Sequence, residues 1–207
     1  MREGVLNEFT NSCFGHFLNF DATTQLSSFM VHNILVKEIN VEDPSAFEIW
    51  FGIRQHKVRF SKVEFCLIIW LKFGEPFSPI TRVHTPIEGE IFMTYWPSLN
   101  LNVRDLTQSF TDATFQFKKP LDAAKIALIL FVLTFLFGYD YRTKVDPWIF
   151  NLVEDIQQFN SFPYGKYVYQ MTYHYLYKGI RSPPSRIELP DGISMIFPLS
   201  SRFILNL

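Results

Sequence analysis

FEIWFGIRQHKVRFSKVEFCLIIWLKFG, residues 47–74, carries several structural signals in succession. Ile49, Phe51 and Ile53 alternate with Trp50, Gly52 and Arg54. After a polar break at Gln55-His56, Val58 and Phe60 alternate with Lys57 and Arg59. Period two on both sides of a turn predicts a β-hairpin with one apolar face. Ser61-Lys62-Val63-Glu64 then fits a capping box, with Ser61 as N-cap and Glu64 at the third helical position. Phe60 and Phe65 stand where a hydrophobic staple pairs its two side chains. The helix runs on through an apolar segment to a stop near Gly74, a suitable C′ residue. Strand, turn, strand, helix is an architecture and not a catalytic motif.

Composition limits what surrounds this segment. A chain of 207 residues suits one domain of ordinary size, or one domain plus a tail. With 48% hydrophobic and 19% charged residues, it has the means to bury a core. The 23 phenylalanines raise the aromatic share to 17%, which favours either a dense core or an adhesive surface. A net charge of −1 argues against a domain built around a global basic field for nucleic acid. Cys13 and Cys66 give no disulfide framework, so a reducing, intracellular setting in nucleus or cytoplasm is expected. The start, MREGVLNEFTNSCFGHF, lacks a continuous apolar run and a small-residue cleavage site, which argues against secretion.

Ile126–Phe137, IALILFVLTFLF, is almost wholly apolar but short, lying between Lys125 and Gly138. A bilayer span needs roughly 20 such residues, so no membrane span is expected and the segment reads as a buried central helix. Pro120 and Asp122 suit its first turn, and Gly138 follows its last apolar residue. Thr23–Ile39 has Leu26, Phe29, Met30 and Ile34 at helical spacing, and Asp43-Pro44 ends it. Glu75–Asn102 contains four prolines and no clean period, and reads as a long irregular loop. Val103–Phe110 suits a short helix. Asp146-Pro147 opens another reaching about Phe159, Asn160–Gly165 is a turn, and Lys166–Ile180 is a tyrosine-rich final helix. From Arg181, the Ser182-Pro183-Pro184-Ser185 run and the residues after it lose all period.

No phosphate-binding glycine loop, nucleophile elbow or paired-histidine zinc motif is present, so no enzyme activity, cofactor or metal is expected. Cys13 and His16 have one-turn spacing but lack a second pair of zinc ligands, and read as a buried thiol near a capped histidine. Cys66 lies within an apolar helix and reads as packing, since a reactive thiolate needs an electropositive, partly exposed setting.

Two patches suit a partner. Arg54, His56, Lys57, Arg59 and Lys62 form a positive run with no acid between them, at the hairpin tip and helix start. They could contact nucleic acid or an acidic protein, or simply solvate the hairpin end and protect it from edge pairing. In the final helix, Lys166, Lys178 and Arg181 are interleaved with Tyr167, Tyr169, Tyr173, Tyr175 and Tyr177. Such a mixture can stack single-stranded bases, but these tyrosines fall on more than one helical face, so some belong to the core.

Five blocks in order, SCFGHFLNF (12–20), VHNILVKEI (31–39), KVRFSKVEFCLI (57–68), AAKIALILFVL (123–133) and TKVDPWIFNLVEDIQQFNSFPYGKYVYQMTYHYL (143–176), resemble the plant domain of unknown function DUF1985. The resemblance covers roughly residues 10–180. It implies a member of a variable plant family of transposon origin, often found upstream of a Ulp-type, SUMO-protease-like cysteine peptidase domain, with no activity assigned to the domain itself. The label "phospholipase-like" sometimes given to such proteins finds no serine–histidine constellation here. The chain departs from the family pattern at Ile69-Trp70, where a Thr-Gly pair is expected, and again after Gly179. A truncated or misjoined reading frame would account for ELPDGISMIFPLSSRFILNL (188–207), and transcript sequencing across those codons tests it.

The expectation is a mostly α-helical α+β fold: a helical bundle around Ile126–Phe137 with a small β-hairpin near residues 47–60 and a long Pro-rich loop. Residues 10–180 form a single domain and 181–207 an irregular tail. Arg54, Lys57, Arg59 and Lys62 are the candidate partner-binding residues, for protein or nucleic acid. The functional expectation is a non-catalytic interaction module. The alternative is an accessory, substrate-selecting fragment of a SUMO-protease-like protein whose catalytic domain lies elsewhere.

Overall fold

The computed structural model describes residues 2–19, 28–42, 47–74, 89–97, 100–112 and 115–181. These residues form a mostly helical α+β structure with one small antiparallel sheet. The chain divides into two compact units: Met1–Phe20 with Glu75–Phe162, and Asp21–Gly74 with Pro163–Leu207. Residues 182–207, which hold the aperiodic tail, lie outside those described.

The first unit is helical. It holds α1 (Arg2–Asn11), a 3₁₀ turn (Gly15–Asn19), and, after α2 (Ser28–Leu35) and α3 (Lys62–Ile69) of the second unit, α4 (Glu90–Tyr95) and α5 (Val103–Thr111). These are followed by α6 (Pro120–Leu130), α7 (Trp148–Glu154) and α8 (Ile156–Ser161). The apolar run expected to be central is central. Ile126, Leu128, Ile129, Val132, Leu133, Leu136 and Phe137 are all essentially inaccessible to water. Helix α6 packs against α1, α5 and α7, which explains why it tolerates apolar residues on every face. Pro120 opens α6 and Gly138, at φ 62°, closes it, as their chemistry suggests.

Between them the helix widens over Phe131–Leu136 into a π segment. There Phe137 N–H bonds the Val132 carbonyl, and the Thr134 hydroxyl inserts on the Leu130 carbonyl at 2.6 Å. Hydropathy carries no trace of this, because the run is apolar on nearly every face and the shift in phase moves no polar stripe. Phe131, on this segment, meets the rings of Phe9, Phe14, Phe17 and Phe135 at centroid distances of 4.8–5.3 Å. Much of the phenylalanine excess is therefore core.

Helix α5 forms where expected, with a capping box between Asn102 and Asp105. Two expectations change. The Glu75–Asn102 connection is not wholly irregular, because Glu90–Tyr95 is helical; residues 75–88 of it lie outside those described. The helix expected from Asp146 to Phe159 is two helices, because Asp155 turns extended. Its carboxylate accepts the N–H groups of Gln157 and Gln158, starting α8 afresh.

The second unit holds α2 (Ser28–Leu35), β1 (Ile49–Ile53), β2 (His56–Phe60), α3 (Lys62–Ile69) and α9 (Tyr164–Arg181). The start of the expected Thr23–Ile39 helix lies outside the described residues; its described part ends at Leu35. The hairpin pairs Ile49 with Phe60, Phe51 with Val58 and Ile53 with His56. Ile49, Phe51 and Phe60 are buried, while Trp50, Lys57 and Arg59 take the other face, as period two requires. The turn is Arg54-Gln55, one residue earlier than the polar break suggests. Arg54 adopts φ 55°, a left-handed value that glycine more often supplies in a two-residue hairpin loop.

The staple is present, with the Phe60 and Phe65 rings edge to face at 6.0 Å. Helix α3 ends at Ile69 rather than near Gly74, because Trp70 turns left-handed at φ 56° and its N–H bonds the Cys66 carbonyl. In α9, Tyr164, Val168, Thr172 and Leu176 recur every fourth residue and are buried, so this helix is amphipathic. Its first turn approaches the chain after α3 closely: Gly165 N–H bonds the Lys72 carbonyl at 2.9 Å. A Cβ on Gly165 would lie 2.3 Å from the Phe73 ring.

Candidate interaction surface

The positive run is less uniform in space than in sequence. Arg54, in the hairpin turn, and His56, just after it, are exposed, and Lys57 is exposed on the face away from the core. Among the described residues, Arg54 and Lys57 form no ion pair. Arg59 behaves differently. Its Nη2 lies 2.7 Å from Glu64 Oε1 and its Nη1 3.4 Å from Glu48 Oε1. Its guanidinium also sits 5.7 Å from the centroid of the facing Trp50 ring.

Glu64 accepts the Ser61 hydroxyl, while Ser61 Oγ accepts the Val63 N–H at 3.1 Å. The expected capping box is therefore modified. Arg59, just outside the helix, draws Glu64 into an Arg–Glu–Ser bridge that ties β2 to the first turn of α3. Burial pushes the Glu64 carboxyl up, but the bonds from Arg59 and Ser61 outweigh it and hold the group below its ordinary range. Bonding to and attraction by the same carboxylate raise Arg59. Lys62, at the first position of α3, is exposed, with Nζ 5.5 Å from the centroid of the Phe73 ring. Four of the five cations thus remain at the surface, and Arg59 serves as a brace.

The tyrosines of α9 divide between the two readings. Tyr169 is core; burial, then the charge of Glu48, drives its hydroxyl strongly upward, and it donates to the Phe47 carbonyl. Tyr173 and Tyr177 stack at 5.8 Å, and Tyr177 is exposed. The side chains of Lys178 and Arg181 lie outside those described.

Sequence reasoning missed a polar cluster in the first unit, where α4, α6 and α7 meet. Lys125 Nζ is buried against Glu154, 2.8 Å from Oε2 and 3.1 Å from its carbonyl oxygen. Glu154 Oε1 accepts the Ile91 N–H at 2.8 Å, and Asn151 Oδ1 accepts the Gly89 N–H at 3.0 Å. Tyr95 donates to Asp122 at 2.6 Å and accepts the Lys118 N–H at 2.6 Å; burial, then the bond to Asp122, raises its hydroxyl. Side chains of α7 therefore satisfy the orphan N–H groups that start α4, an arrangement invisible to local sequence because its partners lie some sixty residues apart.

Among the described residues, no group of three or more His, Cys, Asp or Glu is placed to hold a metal ion. Cys13 and His16 do not form one: the Cys13 backbone bonds Asn160 and the His16 ring lies against Phe17. Burial pushes the Cys66 thiol up, away from reactive thiolate. Among the described residues, no helix is long and apolar enough to cross a membrane.

The second unit is a hairpin braced onto a capped helix and the first is built on one apolar helix; both fit a mostly helical α+β class, and no catalytic constellation is recognisable among the described residues. A family model described as domain of unknown function DUF1985 matches residues 35–175, and the chain belongs to that family. Neither a curated protein nor a solved structure matches.

Proposed function

We propose that the chain is a non-catalytic interaction module of an intracellular protein, in nucleus or cytoplasm. Its residues 10–180 carry the module, which contacts protein or nucleic acid through the basic hairpin. The observation that supports this is the division of labour in the positive run. Arg59 is spent on Glu48 and Glu64, which stiffens the hairpin on α3, while Arg54, Lys57 and Lys62 stay exposed on that braced platform. A preformed cationic edge loses little freedom on binding.

The test is a salt titration of binding to a mixed-sequence oligonucleotide and to an acidic peptide, comparing Arg54→Ala/Lys57→Ala with Arg59→Ala. The double variant should weaken binding and flatten the salt slope by about two, one for each lost contact. Arg59→Ala should instead lower thermal stability. Salt slopes equal to wild type in the double variant refute the assignment.

The family resemblance also supports a finer reading, a plant transposon-derived protein, or an accessory segment that selects substrates for a SUMO-protease-like domain. An intact peptidase reading frame downstream of this one favours the accessory role, and its absence favours the free-standing module.

A further inference from the structure

Helix α3 has two apolar faces where a surface helix needs only one. Phe65 and Ile69 face inward, each about 1% accessible. On the other side Val63 and Leu67, one helical turn apart, are 57% and 70% exposed, and Trp70, the left-handed residue that ends the helix, is 75% exposed. A turn-spaced apolar pair is how one helix presents anchors to another, and the Trp70 indole lies by it through its bond to Leu67. Trp70 is also held in place: its backbone is left-handed at φ 56°, and its indole N–H bonds the Leu67 carbonyl at 2.7 Å. Much of the ordering cost of burying that ring has therefore been met before any partner arrives.

Charge narrows the partner. Residues 47–74 contain Arg54, Lys57, Arg59, Lys62 and Lys72 against only Glu48 and Glu64. Both acids are held by Arg59. Lys62 precedes Val63 at one end of the stripe and Lys72 follows Trp70 at the other, and both are exposed. A second copy meeting this face through a two-fold axis would set lysines against lysines, which disfavours it. A nucleic acid would match the charge but offers no ridge for the apolar anchors.

We propose that the Val63–Leu67–Trp70 stripe is a docking site for an amphipathic helix of a protein partner, with apolar residues at i, i+3, i+4 and i+7 and acidic residues on its flanks. This rests on the reading of the basic hairpin as an interaction surface, and names the chemistry of the partner.

The experiment uses the full chain and three designed peptides of about 15 residues. One carries a leucine ridge with glutamates elsewhere, the second the same ridge with lysines, and the third the glutamate composition with its leucines scattered round the helix. Calorimetry should show the glutamate ridge peptide binding at least ten-fold more tightly than either control. Trp70→Ala should weaken it about thirty-fold, the loss expected when a tryptophan anchor is truncated. Leu67→Glu should abolish it. Far-UV circular dichroism confirms that both variants fold.

Equal binding of the three peptides, or unchanged binding in Leu67→Glu and Trp70→Ala, overturns the proposal. So does a dimer seen by sedimentation that Trp70→Ala dissolves, since a second copy then covers the stripe. Oligonucleotide binding lost in Trp70→Ala overturns it in favour of nucleic acid. If Arg54→Ala/Lys57→Ala loses oligonucleotide binding while Leu67→Glu and Trp70→Ala leave binding of the glutamate ridge peptide unchanged, the hairpin reading stands and the stripe proposal falls.

Discussion

Removal of the Glu154 carboxylate offers a severe test of how the first unit is held together. In Glu154→Ala two things happen at once. The Lys125 ammonium, only 10% exposed as a side chain, loses the oxygen 2.8 Å away. The Ile91 N–H, beneath a buried residue, loses its acceptor. Breaking a buried pair by removing one partner costs about 3–5 kcal/mol. Because the Glu154 side chain is 27% exposed, the lower end of that range applies. The orphaned amide adds about 1 kcal/mol, giving a total of about 3–4 kcal/mol.

Urea denaturation measures this. Trp96 and Trp148 lie in the first unit and Trp50 and Trp70 in the second, so a Trp50→Phe/Trp70→Phe background reports the first unit alone. Lys125→Met/Glu154→Leu supplies the control. With neither charge buried it should recover at least half of the loss, because well-packed apolar residues often substitute for a buried pair without penalty. A Glu154→Ala shift below about 1 kcal/mol, or a double variant as weak as Glu154→Ala, would show that Lys125 is solvated and that the cluster does not anchor α4.

Three further predictions concern the second unit. Glu64 is held below its ordinary range in the folded chain, so its contribution is present above the unfolded pKa, about 4.3, and is lost as pH falls through the lower folded value. Glu64→Gln should therefore flatten the decline of melting temperature below about pH 4.3, and an unchanged decline refutes the Arg59 bridge. Trp70→Gly should stabilise the chain by about 1 kcal/mol in chemical denaturation, because glycine removes the left-handed penalty and little packing is lost from an exposed ring; a destabilisation would show that the indole bond to Leu67 outweighs the strain. Gly165→Ala should destabilise by about 1–3 kcal/mol, since its new methyl would press on the Phe73 ring and the Leu71 carbonyl; a neutral melting curve would mean the ring swings aside.

Trp70 shows how a family pattern becomes physics. The resemblance leads to an expectation of glycine at this position, and the helix does end there in a left-handed turn that glycine would take without strain. A bulky residue at that point costs backbone energy and leaves its ring outside. That cost is a sensible trade if the ring has a use.

The basic run shows the opposite limit. Sequence showed five cations with no acid among them, yet Glu48 and Glu64 stand just outside the run and both reach Arg59. The register that puts Arg59 opposite Trp50, and the staple that turns α3 back on β2, bring them together.

What local sequence determined were features set by neighbours in the chain. Alternation over 49–60 dictated the hairpin and its buried face, because side chains of a strand point to opposite sides. Ser61, Pro120 and Gly138 marked helix ends, because capping is satisfied within a turn or by local backbone preference. The length of the Ile126–Phe137 run placed it in a protein core. Tertiary structure alone decided the rest. The helix inside the Pro-rich connection starts on Asn151 and Glu154. The π segment sits under an aromatic cluster gathered from residues 9 to 135. The cations left for a partner depend on pairings across the hairpin and into α3. Each of these turns on groups distant in sequence and close in space, and short-range hydrogen bonds, ion pairs and ring contacts register only the second distance.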